Sequence, residues 1–428
     1  MQCDIGQDPV QVRKNKIILF GIFALTRLVY LLSQSRAWIG QGWEYEELAN
    51  NFLKTGRYVY FYSWNPTREL PTAIEPPGLA FILVFIKKYF YNHTFLILAS
   101  LHFGIALISF WLFLQICDSF LSSKATQLAG ILYILDINLW SPLRWVNETL
   151  YSVFFITLML YTTLNLIKKP SIRSGIALGI SFGAALWFRS SFELYFLFFI
   201  GWLLYIRYRE GQNRMSFAVI VSVVISCAAV ISPWTLRNYQ TFKTFILVQN
   251  TMGLNLWQGW NPTSVGALYQ MDGTPMIMEP WLISKLQACA SEPQINDTLK
   301  EAAFGYAGEN PARWIKQRLL GFLFFWHEQT FWAPHSPFRT KQAFILGVAN
   351  LFLLLFLLLS VPNAWRAGGT LRIILMLMAM QSAIYTLIHA DIGNRYRIQI
   401  DPLILIVIAS YFSTFLPNQE LKAAVARQ

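Results

Sequence analysis

Charge is what this chain has least of. Of its 428 residues only 13% are Asp, Glu, Lys or Arg, against about a quarter in an ordinary soluble domain, and 55% are hydrophobic. The apolar residues come in long blocks, which excludes a soluble globular protein and points to a polytopic membrane protein. Cysteine is scarce as well. Cys3, Cys117, Cys227 and Cys289 offer no pair at a spacing that suggests a disulfide or a metal site. Internal repeats and low-complexity tracts are absent. There is no continuous basic stripe either: the net charge of +12 comes from residues scattered between the apolar blocks. That distribution argues against a nucleic-acid partner and makes the positive charge mainly an orientation signal. The first apolar segment lacks a small-residue cleavage site and is interrupted by Arg27, so it is expected to remain as a span.

A crossing helix needs roughly 20 mainly apolar residues. About ten crossings are expected, with cores at Ile17–Leu32, Thr94–Ile116, Ala125–Leu139, Leu150–Ile167, Gly175–Phe188, Phe192–Tyr205, Met215–Ile231, Phe344–Val361, Leu371–Ile388 and Pro402–Phe415. Gly78–Phe90 is apolar but short and runs into Lys87 and Lys88, which predicts an interfacial or re-entrant helix. With the N-terminus inside, the inner loops collect Lys124, then Lys168, Lys169 and Arg173, then Arg207, Arg209 and Arg214, then Arg366 and Arg372. The same count puts every unusual polar segment outside.

The chain is organised around one of those segments, Trp43–Gly78. Leu48, Phe52 and Leu53 recur at helical spacing, so Glu44–Leu53 reads as a short amphipathic helix ended by Gly56. Pro76-Pro77-Gly78 then forces a rigid turn into the next helix. Three parts follow: a membrane module over 1–232 with its first outer loop at 33–93, an outer region over 233–340, and a second membrane module over 341–428. The outer region carries an aromatic loop, Asn255–Pro262, and an amphipathic helix, Pro311–Trp326, suited to the membrane interface. Asn92, Asn147 and Asn296 match the glycosylation sequon, a pattern common by chance.

Several segments together resemble the GT-C polytopic glycosyltransferases, which include the protein O-mannosyltransferases and the lipid A aminoarabinose transferase. They are Glu44-Tyr45 with Leu48-Ala49, Gly56 and Pro71…Gly78; Asn147-Glu148-Thr149-Leu150; Trp187-Phe188-Arg189; Pro233-Trp234…Arg237-Asn238 with Asn250…Pro262; and Arg395-Tyr396-Arg397…Pro402. The matches run in order over nearly the whole chain. They differ from the family at Glu44, where Asp is usual, and at Gly259-Trp260-Asn261, where Gly-Asn-Asn is frequent. The resemblance implies an all-α integral membrane protein of GT-C fold with juxtamembrane helices in its first outer loop. It implies an enzyme of the plasma (inner) membrane whose site faces the periplasm or exterior. The donor would be a polyprenyl-phosphate sugar and the acceptor a lipid, glycan or protein. It also implies substrate contacts from Tyr45, Glu75, Arg189, Arg237, Asn238, Asn255, Asn261, Arg395 and Arg397.

The chemistry asks for the same residue types. Moving a sugar from a phosphate to a hydroxyl needs a base, and Glu44 is the candidate, with Glu148 a second catalytic acid and Glu75 in support. The departing phosphate needs cations, and arginine offers a planar fork that matches its oxygens. Each residue also has a plainer reading. Glu44 could be a solvated residue on an interfacial helix, Glu148 a partner of Arg144 at i,i+4, Arg237 a surface residue, and Arg27 a snorkelling one. Arg395 and Arg397 alternate around Tyr396 after a turn signal, which predicts an extended run aiming both side chains at one phosphate. His327-Glu328 with His335, and His389 with Asp391, lack a diagnostic metal spacing; the resemblance implies no organic cofactor and leaves a divalent ion open. Two other classes stay in play: a lipid flippase or transporter, which would want charges or broken helices mid-span, and a glycan polymerase or ligase on another scaffold.

Overall fold

The computed structural model describes residues 9–33, 43–210, 215–267, 278–327, 340–389 and 394–415. Helices dominate. The first, α1 (Pro9–Ser33), is followed by α2 (Trp43–Thr55), which Gly56 ends at φ +70°. A small antiparallel ribbon of β1 (Val59–Tyr60) and β2 (Leu70–Pro71) pairs Val59 with Pro71 and leads to α3 (Pro77–Phe90). Pro76 and Pro77 set the start of α3, since proline is pre-organised for a first helical turn. Then come α4 (Thr94–Asp118), α5 (Ser123–Leu135), α6 (Thr149–Lys168), α7 (Ile172–Leu186), α8 (Phe192–Glu210) and α9 (Phe217–Phe242). The outer region holds α10 (Met252–Trp260), α11 (Pro280–Ala288), α12 (Glu292–Glu309) and α13 (Pro311–Trp326); α14 (Lys341–Ala367), α15 (Gly369–Leu387), the single turn α16 (Arg395–Ile398) and α17 (Asp401–Phe412) follow.

Every expected core lies on a helix. By length and composition, six segments of the described residues are fit to cross a membrane, one of them joining α3 and α4, and two shorter apolar helices accompany them. That is fewer than the ten crossings expected. The clearest shortfall is α5: Asp136 leaves the helix, and its side chain accepts from the Asn138 N–H at 3.0 Å to begin a 3-10 turn. Conversely α9 runs through Pro233 and continues to Phe242.

The tightest helix pair is α7 against α9. Gly175, Gly179 and Gly183 stand four apart on α7, and a Cβ at any of them would meet the α9 backbone at Val219, Val223 or Cys227. Without a hydrophobic drive in lipid, small residues let helices approach closely enough for dispersion and packing to hold them. An ion pair of Lys16 with Asp118 brings the start of α1 and the end of α4 to one side of the bundle. Arg27 is fully buried in that bundle rather than snorkelling. It donates to the Tyr133 and Ile134 carbonyls at the end of α5, each at 3.2 Å, between the Phe23 and Trp140 rings.

The first loop is fastened to the outer region by Glu292, the first residue of α12. Its buried carboxylate accepts from the Tyr62 hydroxyl at 2.8 Å, the Ala73 N–H at 2.7 Å and the Thr72 hydroxyl. Burial pushes this carboxyl up to about 7, although those three donors and Arg237 favour its charged form. On the far side Arg318 of α13 holds the frayed end of α15, donating to the carbonyls of Thr386, Leu387 and Ile388 at 2.7–2.9 Å and to Gly259.

Candidate active site

The loop between α2 and α3, the turn between α7 and α8, the start of α6 and the turn α16 converge. Tyr45, buried on α2, donates its hydroxyl to Glu75 Oε2 at 2.9 Å, and the Tyr58 hydroxyl donates to the Glu75 backbone carbonyl at 3.1 Å. Gln249 reaches in from the segment after α9, donating to the Ile74 carbonyl at 2.5 Å, and Ser190 donates to its amide oxygen at 2.6 Å. Beside them Glu148, at the N-cap of α6, is buried in an ion pair with Arg189. Arg189 also donates Nε–H to the Tyr385 hydroxyl at 2.7 Å and lies over the rings of Tyr385 and Tyr396, at 5.2 and 4.9 Å. Those two rings stack at 4.1 Å, and Arg395 covers the Tyr396 ring at 5.1 Å.

The electrostatics divide the acids. Burial, with repulsion from Glu148 and Glu44, pushes Glu75 up to about 8; the Tyr45 hydrogen bond and the Arg395 charge pull the other way and lose. Burial would raise Glu148 too, but Arg189 and Arg395 outweigh it and hold that carboxyl below its usual value. Arg189 is correspondingly driven up, since Tyr385, Glu148 and Tyr396 together overcome its burial. Neighbouring titratable groups pushed apart in this way are what acid–base work at one pH requires.

No protein-family model and no curated protein matches the chain. Solved structures do. The oligosaccharyltransferase of Archaeoglobus fulgidus, solved with zinc and sulfate, overlaps 92% of this chain and 49% of its own at a TM-score of 0.55 and 12% identity. The same archaeal enzyme, AglB, with an inhibitory peptide and a dolichol-phosphate, overlaps 96% of this chain and 51% of its own at 0.54 and 11%. The fold is GT-C. This chain therefore spans about half the length of the oligosaccharyltransferase it matches. ArnT from Cupriavidus metallidurans bound to undecaprenyl phosphate overlaps 92% of this chain and 77% of its own at 14% identity, with a TM-score of 0.40.

Within this GT-C fold the expected site residues separate into two sets. Glu44, half-buried in the first turn of α2, Tyr45, Glu75, Glu148, Arg189 and Arg395 share one electrostatic cluster. Glu148 is paired with Arg189 across 41 residues of chain. The second set acts elsewhere. Arg237 donates to the Thr72 and Tyr58 carbonyls, Asn238 braces the Ile246 and Val248 carbonyls, and Asn261 caps α10 by donating to the Trp257 carbonyl at 2.8 Å. Asn255 is half-buried on α10. Asn147 and Asn296 are buried, with Oδ1 of each accepting a backbone N–H, whereas Asn92 is exposed.

Arg395 and Arg397 do not aim together. Asn394 takes a left-handed conformation at φ 54° and the next four residues form a helical turn, which splays the two side chains apart. Arg397 is buried against Asp401 at 3.1 Å and donates to Asn350 at 2.8 Å. The expectation of an extended pair gripping one phosphate is thereby corrected: the turn leaves one arginine for the site.

Glu328, His335 and Asp391 lie outside the described residues. His327 is buried, with Nε2 3.0 Å from the Gly347 carbonyl, and His389 is buried near the Tyr396 ring. Among the described residues no three His, Cys, Asp or Glu side chains gather around one point that could hold a metal ion, and Glu148 is already engaged by Arg189. Sequence reading missed Tyr385, Tyr396, Gln249 and Glu292. Tyr396 lay in plain view between two flagged arginines; Glu292, a lone acid opening a polar helix, gave no signal at all.

Proposed function

We propose that the chain is a membrane glycosyltransferase that moves a sugar from a polyprenyl-phosphate donor to an acceptor hydroxyl at the Glu44–Glu75–Glu148 cluster. The carrying observation is the meeting, in a GT-C fold, of three carboxylates with Arg189 and Arg395 around Tyr45, Tyr385 and Tyr396. Glu44 takes the proton of the attacking hydroxyl, whose oxygen forms the new bond to the sugar as the sugar–phosphate bond breaks. The bonding electrons leave with the phosphate, and Arg395 meets that charge with its planar fork. Arg189, fixed by Glu148 and Tyr385, keeps the local field positive without being consumed. Glu75, largely protonated near pH 7, spares the incoming phosphate a further negative charge.

The dolichol-phosphate and inhibitory peptide bound by the archaeal structure support a lipid-linked donor, and the apolar helices offer its tail a lateral route. The site would face the periplasm or exterior. The test is transfer in vitro from defined polyprenyl-phosphate sugars by the purified full chain. Glu44→Gln keeps the shape but cannot accept a proton, so turnover should fall about 10²–10⁴-fold. Near wild-type turnover by Glu44→Gln would remove Glu44 from the role of base, and no transfer from any such donor would remove the reading.

A further inference from the structure

A cavity of about 430 Å³ is lined in part by Tyr58, whose hydroxyl donates to the Glu75 carbonyl. It lies between α2, the β1–β2 ribbon, α3 and the outer end of α9. Its walls include Tyr58, Phe81, Trp187 and Trp234, and its charged lining is Arg57 and Arg237. None of the reacting cluster lines it.

Arg237 is built into this wall. Its plane is set by donation to the Thr72 carbonyl at 2.7 Å, the Tyr58 carbonyl at 3.0 Å and Asn238 Oδ1 at 3.1 Å. The rings of Trp234, Tyr58 and Phe242 surround it at 4.9–5.6 Å. Among the described residues three of the five guanidinium N–H groups are engaged, none of them by a carboxylate. Arg57 faces the same space, tied only loosely to Glu69 at 3.4 Å with 68% of its side chain exposed. The cavity is therefore cationic, aromatic-walled and open. It sits where a crossing helix, α9, reaches its outer end, beside the exposed Thr241. Aromatic belts and lipid headgroups occupy that level of a bilayer.

We infer that this cavity is a binding site for the phosphate of an anionic phospholipid headgroup, separate from the transfer site. Arg237 supplies the fork and Arg57 a second charge, while the rings take the glycerol and the first methylenes of the chains. The site does not depend on the glycosyltransferase reading, because lipid retention is measured without any transfer.

The test is native mass spectrometry of the full-length protein in neutral detergent with phosphatidylglycerol, phosphatidylcholine or inorganic phosphate. The wild type should retain phosphatidylglycerol at least about tenfold better than phosphatidylcholine, the scale of one charge-assisted contact. Arg57→Gln should weaken that preference, and Thr241→Trp, which fills the mouth one helical turn beyond Arg237 while leaving both arginine side chains in place, should abolish it. Arg237→Lys should abolish it too; because its carbonyl contacts brace the loop, its thermal unfolding is measured alongside. Equal retention of the two lipids by the wild type would overturn the inference. So would an unchanged preference in both Arg57→Gln and Thr241→Trp. Displacement of phosphatidylglycerol by equimolar inorganic phosphate would assign the cavity to a soluble anion and overturn the lipid source.

Discussion

Two arginines two residues apart have opposite jobs. Arg395 lies over Tyr396 in the site, while Arg397 is sealed into the bundle against Asp401 and Asn350. Substitutions at the two positions should therefore fail differently. Arg395→Lys keeps the charge but loses the fork, so turnover should drop at least about tenfold, or ~1.4 kcal/mol of barrier, with thermal unfolding unchanged. Arg397→Ala leaves the Asp401 carboxylate buried without its ion partner, a loss of about 3–5 kcal/mol of stability. Equal effects of both on turnover at unchanged stability would return Arg397 to the phosphate. Glu75 gives the site a pH limit whose sign follows from its shift. The raised acid stays protonated well above its unfolded value and loses its proton through about pH 8. Folding stability drawn from that proton is complete below the unfolded value near 4.5 and is lost as pH rises through about 8. Turnover should decline over the same upper range, as the cluster gains a negative charge facing a phosphate. Glu75→Gln should erase that upper limb from the pH–rate profile; a limb that survives the substitution belongs to another group.

Elements with enough residues to show a period were legible. The amphipathic pattern from Glu44 foresaw α2, and Pro311–Trp326 is α13 to the residue. The turn α16 was not legible, because four residues cannot display a period and its start depends on a left-handed Asn394. Glu148 could be flagged for its depth, but its partner could not be named, since Arg189 lies 41 residues on. Packing seams are equally hidden until helices are placed together. Gly175, Gly179 and Gly183 look like ordinary small residues in an apolar run, yet α9 lies directly on them. Gly179→Val should force α7 from α9 and cost about 1–3 kcal/mol or more, read as a lowered unfolding temperature in detergent. Gly201→Ala on α8, where nothing approaches the added methyl, is the control and should change little. A Gly179→Val protein as stable as the control would mean that the seam yields.

At the scale of the whole molecule, composition alone indicated a polytopic protein and charge asymmetry gave it a direction. The structure adds that groups scattered over more than 350 residues of chain, from Glu44 to Arg395, meet at one end of the bundle. What charge counting could not supply is that, among the described residues, the α5 segment falls short of a crossing length, because the helix stops at Asp136. The loops carrying the lysine and arginine excess are the ones we propose for the cytosolic face, by the positive-inside trend. The direction is testable with exposed reporters at opposite ends. Lys54 ends α2 beside the site, and Lys169 closes α6 at its other end. Cys117, Cys227 and Cys289 are buried and should stay silent, so only Cys3 needs replacing by serine. In intact cells a membrane-impermeant maleimide should label Lys54→Cys and not Lys169→Cys, which should react only after permeabilisation. The opposite pattern would put the carboxylate cluster in the cytosol, where a donor carried on the outer leaflet could not reach it.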